Sequence, residues 1–369
     1  MKALTEFIKR EAVFSIALVI AVVSMFFVKP DMEYIGYIDF RTIGLLFALM
    51  AVVAGFSKMG VIIKAAEIII KKVNNTRLLV TVLWGICFFA SMVITNDVAL
   101  ITFVPLSIAV LSMCNKKNLI IYTVVLQTVA ANLGSMLTPM GNPQNLYIYN
   151  YFNVRIGEFF GITLPVIILS FVILVFSTFF VKKEKLDVSI RNSSVGGGRL
   201  KILAYCVLGA VSLMAVLKLI DYRIAVVVTA VYILTADRKV IWRIDWFLLM
   251  TFCFFFIFAG NVERIERVNN VIVELIKNRE FAVSLFASQV ISNVPAAVML
   301  SGFTENYRGL ILGTDIGGLG TLIASLASLI SFKFYSLTEG AEKGKYVLIF
   351  SGVNVIFLVV LIGFAVVYY

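Results

Sequence analysis

Residues 132–145 read NLGSMLTPMGNPQN and interrupt an otherwise apolar stretch of the chain. Two prolines and two glycines fall within ten residues there, from Gly134 to Pro143. Proline removes a backbone hydrogen bond and clashes with the preceding turn, so this stretch cannot continue as one helix. Asn142 followed by Pro143 is typical of the cap and first position of a new helix. The sequence therefore predicts a broken helix over residues 119–151.

This break lies in a chain whose composition is that of a membrane protein. Of its 369 residues, 61% are hydrophobic and 14% are charged, whereas soluble domains have about 25% charged residues. Uncharged runs such as residues 12–28, 162–181 and 346–369 are long enough to cross a hydrocarbon core of about 30 Å as helices. Transmembrane β-strands would instead alternate over about ten residues. We therefore expect an all-α polytopic membrane protein.

Histidine and cysteine usage excludes several chemistries. Histidine is absent, which rules out an imidazole base, a His-ligated zinc ion and a haem held by histidine. The four cysteines lie far apart without a C-x-x-C pair, which is typical of small core residues rather than of metal ligands or disulfides. We expect no cofactor.

The distribution of charge predicts the topology. With the N-terminus on the cytoplasmic side, 22 of the 32 Lys and Arg residues fall in inner loops. This is the positive-inside pattern of the cell (inner) membrane, so the net charge of +11 needs no nucleic-acid partner. The same pattern places the C-terminus outside. Residues 182–199 are basic and rich in Gly and Ser, which predicts a flexible cytoplasmic linker.

The linker separates two halves, residues 1–181 and 200–369, that carry the same succession of features. Each half has an apolar hairpin with a polar tip, followed by a glycine-broken span. The hairpins cover residues 78–113 and 281–303, and the broken helices cover residues 119–151 and 310–334. The charges place the ends of the first hairpin inside and those of the second outside, which predicts two inverted repeats with re-entrant helical hairpins. Secondary transporters often have this architecture.

Asp97 and Asp315 are the only ionisable residues expected in the membrane interior, one in each half. Asp97 follows the first tip, and Asp315 lies in the second break, residues 313–321, which read GTDIGGLGT. No Lys or Arg is expected at that depth, and buried acids usually mark ion pathways. We therefore expect each carboxylate to bind a proton or Na⁺. The alternative is that each merely caps a local helix.

The candidate substrate- and ion-binding residues lie at the two tips and the two breaks, where unwound backbone and polar side chains can face a ligand. They are Thr95, Asn96, Asp97, Asn132, Ser135, Thr138, Gly141, Asn142, Asn145, Ser292, Asn293, Thr314, Asp315, Gly317 and Thr321. Within this set, the candidate Na⁺ ligands are Asn96, Asp97, Asn293 and Asp315. The alternative for the asparagines is that they pack helices together.

At these places the chain resembles the ion transporter superfamily, which includes arsenite permeases, NhaD-type sodium/proton antiporters and divalent-anion/sodium symporters. Residues 95–100, TNDVAL, are similar to the Asn-Asp hairpin motif of the arsenite and antiporter branch. Residues 138–145, TPMGNPQN, resemble the Gly-x-Pro-x-Asn break of the anion symporters, and residues 313–328 again resemble arsenite permeases. The resemblance implies a homodimer whose protomers each bind a substrate between the hairpin tips and the broken helices.

These features favour a transporter rather than an enzyme: an H⁺- or Na⁺-coupled secondary transporter that moves a small anion or oxyacid across the lipid bilayer by alternating access. A Na⁺/H⁺ antiporter without an organic substrate would use the same two acids. An intramembrane aspartyl protease would need an aspartate where Thr321 stands in its Gly-x-Gly-Asp motif. A passive channel is the remaining alternative, and uptake against a gradient would exclude it.

Overall fold

A computed structural model describes residues 11–186, 196 and 198–368 of the chain. Across those residues the fold consists of α-helices and short 3₁₀ turns, without a β-strand. Eight of the described helices are long and apolar enough to cross a membrane. The prediction of an all-α polytopic membrane protein is therefore confirmed, whereas the inverted relation of the two halves stays a prediction.

The helices up to residue 177 contain the first hairpin and the first broken helix. They are α1 (Ala12–Met25), α2 (Glu33–Tyr37), α3 (Phe40–Lys58), α4 (Val61–Ile70), α5 (Thr76–Ile94), α6 (Asn96–Met113), α7 (Ile120–Ser135), α8 (Pro143–Tyr151) and α9 (Ile156–Ser177). Side-chain caps define several starts: Asn75 accepts a hydrogen bond from the Leu78 N–H at the start of α5. Asn142 caps α8 in the same way, with Pro143 at its first position.

The helices from residue 198 onward contain the second hairpin and the second broken helix. They are α10 (Gly198–Val216), α11 (Tyr222–Ala236), α12 (Trp246–Glu263), α13 (Glu266–Ile276), α14 (Glu280–Ile291), α15 (Asn293–Ser301), α16 (Tyr307–Gly317), α17 (Leu326–Ser336) and α18 (Lys343–Tyr368). Asn306 caps α16 by accepting a hydrogen bond from the Gly309 N–H.

Helices α5 and α6 form the first hairpin, joined at Thr95. Its two ends lie beside the same segment, because the Thr76 hydroxyl bonds the Lys182 carbonyl and Lys116 pairs with Glu184. The arms therefore run antiparallel. They have 19 and 18 residues, within the range of about 17–25 residues that spans a bilayer, and both are long and apolar enough to cross a membrane.

Helices α14 and α15 form the second hairpin, joined at Ser292. Its ends also meet, since the Glu280 carboxylate accepts a hydrogen bond from Asn306 Nδ2 at 3.3 Å, just beyond the second arm. The arms have 12 and 9 residues, or about 18 Å and 14 Å. Neither arm is long enough to cross a hydrocarbon core of about 30 Å.

Each hairpin packs closely against the first segment of the broken helix that follows it. Helix α7 contacts α5, and α16 contacts α14. Glycines permit the approach: a Cβ added at Gly134 would lie 2.2 Å from the Phe88 carbonyl oxygen, and one at Gly313 would lie 1.9 Å from Ser284 Oγ. Only glycine leaves room for such contacts. The breaks are thereby positioned next to the hairpin tips.

The predicted linker, residues 182–199, falls largely outside the described residues, which omit 187–195 and 197. Its first five residues are held in place: the Leu186 N–H donates to the Asn74 carbonyl at 2.9 Å, and the Thr76 N–H donates to the Glu184 carbonyl at 3.0 Å. The end of the linker is helical, since α10 begins at Gly198.

Candidate functional site

The two hairpin tips have the same backbone geometry. Thr95 has φ 70° and ψ 151°, and Ser292 has φ 74° and ψ 155°. A positive φ in a non-glycine residue costs energy and persists where the surroundings impose it. The asparagine after each tip residue starts the second arm, and its side-chain oxygen accepts the next backbone N–H, at 2.9 Å for Asn96 and 3.0 Å for Asn293.

Each tip is also bonded to the break of its own half. The Asn96 N–H donates to the Gly141 carbonyl at 3.0 Å, and the Asn293 N–H donates to the Ala324 carbonyl at 3.0 Å. Gly141 precedes the start of α8 by two residues and Ala324 precedes the start of α17 by two residues. The two halves therefore repeat one arrangement, in which a tip and a break meet.

Asp315 joins the two halves at the centre of the site. It is 2% exposed. Its Oδ1 accepts hydrogen bonds from Asn142 Nδ2 at 3.2 Å and Gln144 Nε2 at 3.1 Å. Its Oδ2 accepts one from Asn145 Nδ2 at 2.8 Å. The second break thus holds a carboxylate against three carboxamides at the start of α8.

Asn132 makes a second connection between the halves. Its Oδ1 accepts hydrogen bonds from Asn96 Nδ2 at 3.2 Å and from Ser325 Oγ at 3.0 Å. Ser135 lies beside it and accepts a hydrogen bond from Asn142 Nδ2 at 3.1 Å. One chain of hydrogen bonds therefore runs from the first tip through Asn132 to the second break.

Several buried polar atoms of this site have no hydrogen-bond partner within the described part of the chain. They are Asp97 Oδ1, Asn132 Nδ2, Gln144 Oε1 and Asn145 Oδ1. Leaving a buried polar atom unpaired costs about 1–3 kcal/mol, so these atoms favour a bound ligand, ion or water. The described residues contain no group of three His, Cys, Asp or Glu that could hold a metal ion. A cation here would have one carboxylate and neutral oxygens as ligands.

Asp97 lies apart from the carboxamide cluster. It is in the first turn of α6, its side chain is half-buried, and none of the described hydrogen bonds joins it to Asp315. Its own backbone N–H is taken by the Asn96 side chain. The structure therefore brings Asp315 into the centre of the two halves and leaves Asp97 at the first tip.

Three other predicted site residues form hydrogen bonds with backbone carbonyl groups and not with the residues around Asp315. The Thr138 hydroxyl donates to the Met92 carbonyl of α5, and the Ser292 hydroxyl lies 3.4 Å from the Ala324 carbonyl. The Thr314 hydroxyl donates to the Leu310 carbonyl of its own helix at 2.7 Å. The predicted roles of these three side chains as ligands stay predictions.

Gly317 and Thr321 are engaged by Gln289, a residue that sequence reasoning missed. Gln289 Nε2 donates to the carbonyl of Gly317 at 2.6 Å, and Gln289 Oε1 accepts the Thr321 N–H at 3.0 Å. Gln144 and Ser325 were also missed as site residues. A glutamine or serine in an apolar segment is ordinarily helix packing, although the position of Gln144 between Pro143 and Asn145 was a usable signal.

Comparison with known proteins identifies the family. The family model CitMHS, described as citrate transporter, matches residues 3–306. The chain belongs to the CitMHS citrate transporter family. The resemblance to the ion transporter superfamily is thereby confirmed, and the chain is a multi-pass membrane protein of a transporter family.

Relatives of this CitMHS family member come from distant organisms. The uncharacterized transporter MJ0456 of Methanocaldococcus jannaschii is 30% identical over 351 residues, which cover 90% of this chain and 91% of that protein. The inner membrane protein YbiR of Escherichia coli is 27% identical over 304 residues, 80% of each chain. The low-affinity phosphate transporter PHO90 of Saccharomyces cerevisiae is 33% identical over 109 residues, 28% of this chain and 12% of that protein.

Proposed function

We propose that this CitMHS family member is a secondary active transporter that couples the movement of a small anion or oxyacid to H⁺ or Na⁺. The observation that carries the proposal is the Asp315 carboxylate, 2% exposed and held by three carboxamides from the other half of the chain. A buried carboxylate bonded only to neutral groups favours a proton or cation as its partner.

The position of Asp315 explains how ion binding would be coupled to movement. Its hydrogen bonds connect α16 of the second half to the start of α8 in the first half. Charged hydrogen bonds are stronger than neutral ones, at about 1.5–3 kcal/mol each. Neutralising Asp315 with a proton or Na⁺ weakens or rearranges these bonds. Ion occupancy would thereby shift the balance between conformations in which the halves sit differently.

The helix ends around the centre support an anionic substrate. Four helices, α6, α8, α15 and α17, begin at a tip or a break. The backbone hydrogen bonds from each tip to its break, together with the two hydrogen bonds that Asn132 Oδ1 accepts, link these four N-termini to one another. The aligned peptide dipoles give each helix N-terminus a partial positive charge, which favours anions nearby. The family description names citrate and PHO90 is named for phosphate, so small oxyanions are the class to test first.

The proposal also covers the orientation of the protein in the membrane and its oligomeric state. We place the protein in the cell membrane with its N-terminus in the cytoplasm and its C-terminus outside, supported by the positive-inside pattern. We also propose a homodimer with no resident cofactor. In this orientation the ends of the first hairpin, near Lys116 and Glu184, face the cytoplasm.

Transport in proteoliposomes tests the function. We expect uptake of radiolabelled citrate, or of another oxyanion selected by thermal-shift screening, against its concentration gradient when an inward H⁺ or Na⁺ gradient is imposed. Without the anion, a Na⁺ gradient should leave the internal pH unchanged. Na⁺-dependent pH changes in the absence of any anion would instead identify a Na⁺/H⁺ antiporter, and uptake that never exceeds equilibrium would identify a channel.

A further inference from the structure

We propose that Gln144 and Asn145 are ligands of Na⁺ at Asp315, and that both reverse their side-chain amides when the ion binds. In the structure both present N–H groups to the carboxylate, and with Na⁺ bound they would turn their oxygens toward the ion. The inference rests on the proposed function in assuming that Asp315 accepts the coupling cation.

The geometry places both residues where reversal is possible. Their side chains are 2% and 0% exposed, and their amide nitrogens lie 3.1 Å and 2.8 Å from Asp315 oxygens. Their amide oxygens are buried without a hydrogen-bond partner. The oxygen and nitrogen of a carboxamide exchange places by a half-turn about the last side-chain bond, with little change of shape. Reversal brings an unpaired oxygen to the carboxylate. The amide nitrogen exchanges its bond to Asp315 for the position that the oxygen had occupied.

Asn142 contacts the same carboxylate but is fixed in its orientation. Its Oδ1 accepts the Asn145 N–H at 2.9 Å and so caps α8. Its Nδ2 donates both to Ser135 Oγ at 3.1 Å and to Asp315. Reversal would break the cap and place oxygen against oxygen. Asn142 thus remains a donor to Asp315 while its two neighbours change.

The charge of this ligand set selects a monovalent ion. One carboxylate and two neutral oxygens balance the charge of Na⁺, whereas a divalent cation would leave one positive charge buried among neutral groups. Na⁺ takes oxygen ligands, so the two amides must change from donors into acceptors for the ion to be held. As donors, the same two residues stabilise the charged carboxylate.

Binding of ²²Na⁺ to the purified full-length protein in detergent tests the inference, with choline replacing Na⁺ to keep ionic strength constant. Gln144→Met and Asn145→Leu remove the oxygens and should each raise the Kd for Na⁺ at least tenfold. Gln127→Met is the matched control, because Gln127 is 0% exposed and its Oε1 also lacks a partner, but it bonds the first hairpin. Its Kd should stay within twofold of wild type.

A second variant keeps the test decisive if the apolar substitutions do not fold. Gln144→Glu retains the shape and adds a carboxylate, so it should bind Na⁺ more tightly and acquire binding of ⁴⁵Ca²⁺. Wild-type Na⁺ affinity in the Gln144 and Asn145 variants, or weaker Na⁺ binding in folded Gln144→Glu, would overturn the inference.

The inference and the proposed function fail separately. Ion-driven anion uptake together with unaltered Na⁺ affinity in the variants would leave transport standing and refute the two ligands. Na⁺ binding that is lost in Gln144→Met and Asn145→Leu, together with no ion-driven uptake of any anion, would keep the ligands and refute the transport proposal. No Na⁺ binding by the wild-type protein would refute the inference, and uptake driven by a pH gradient alone would still support H⁺-coupled transport.

Discussion

Replacing Asp315 by asparagine and by alanine should have very different effects on stability. The carboxylate accepts three hydrogen bonds from buried amides. In Asp315→Ala the Gln144 and Asn145 donors are left unpaired, whereas Asn142 Nδ2 keeps its bond to Ser135 Oγ. At about 1 kcal/mol or more for each unpaired donor, this variant should be about 2 kcal/mol less stable than Asp315→Asn, which removes the same buried charge. In Asp315→Asn the remaining side-chain oxygen keeps the bonds from Asn142 and Gln144.

The third bond of the asparagine variant can be rebuilt by reversing Asn145. Its Oδ1 lacks a partner in the native arrangement and can accept a hydrogen bond from the new amide nitrogen. The variant also buries one charge fewer, which offsets the weaker neutral hydrogen bonds. We expect Asp315→Asn to lie within about 1 kcal/mol of wild type, since the exchange keeps three hydrogen bonds at this position and leaves Asn145 with one unpaired amide group, as in the native arrangement.

Thermal unfolding in one detergent and buffer compares the three proteins. The apparent Tm of Asp315→Asn should lie near that of wild type, and that of Asp315→Ala should be clearly lower. Asn132→Ala is a useful reference, because it removes the acceptor of two hydrogen bonds and leaves Asp315 untouched. Equal Tm values for the alanine and asparagine variants of Asp315 would refute the claim that its hydrogen bonds hold the two halves together.

Two further predictions concern packing and pH. Gly134→Ala should lower the Tm strongly, because its Cβ would lie 2.2 Å from the Phe88 carbonyl oxygen. A Cβ added at Gly85, inside α5, meets nothing within 4 Å, so Gly85→Ala should keep or slightly raise the Tm. Equal Tm values for the two variants would contradict the packing. The hydrogen bond from Lys116 lowers the pKa of Glu184. This pair therefore stabilises the fold above the unfolded pKa of the carboxyl and loses its effect as pH falls through the lower folded pKa. In Glu184→Gln the Tm should fall less steeply than in wild type as the pH drops below about 5. The same decrease of Tm with pH in both proteins would refute the contribution of this ion pair.

The sequence predicted the local features that depend on residue type. Proline and glycine between residues 134 and 143 indicate a helix break, and Asn142 before Pro143 indicates a cap, because these preferences act within a few residues. The break and the cap are present at these positions. The polar tips at Thr95 and Ser292 were visible for the same reason.

The partners across the site could not be predicted from local sequence. Asp315 and Asn145 are 170 residues apart in the chain, and only packing of the two halves brings them together. The roles of Gln144 and Gln289 depend on the same packing. Thr314 shows the converse, since a threonine within a helix ordinarily bonds the carbonyl four residues earlier, as it does here. The role of Thr314 as a ligand, expected from its place in the second break, stays a prediction.

The most direct test of the central claim is anion uptake measured side by side for wild type and Asp315→Asn in proteoliposomes, over a series of imposed H⁺ and Na⁺ gradients. The wild-type protein should concentrate the anion in proportion to one of the two gradients. The variant, in which the titratable charge is gone and the shape is kept, should bind the anion and equilibrate it without responding to either gradient. Accumulation by Asp315→Asn with the ion dependence of the wild type would contradict the account.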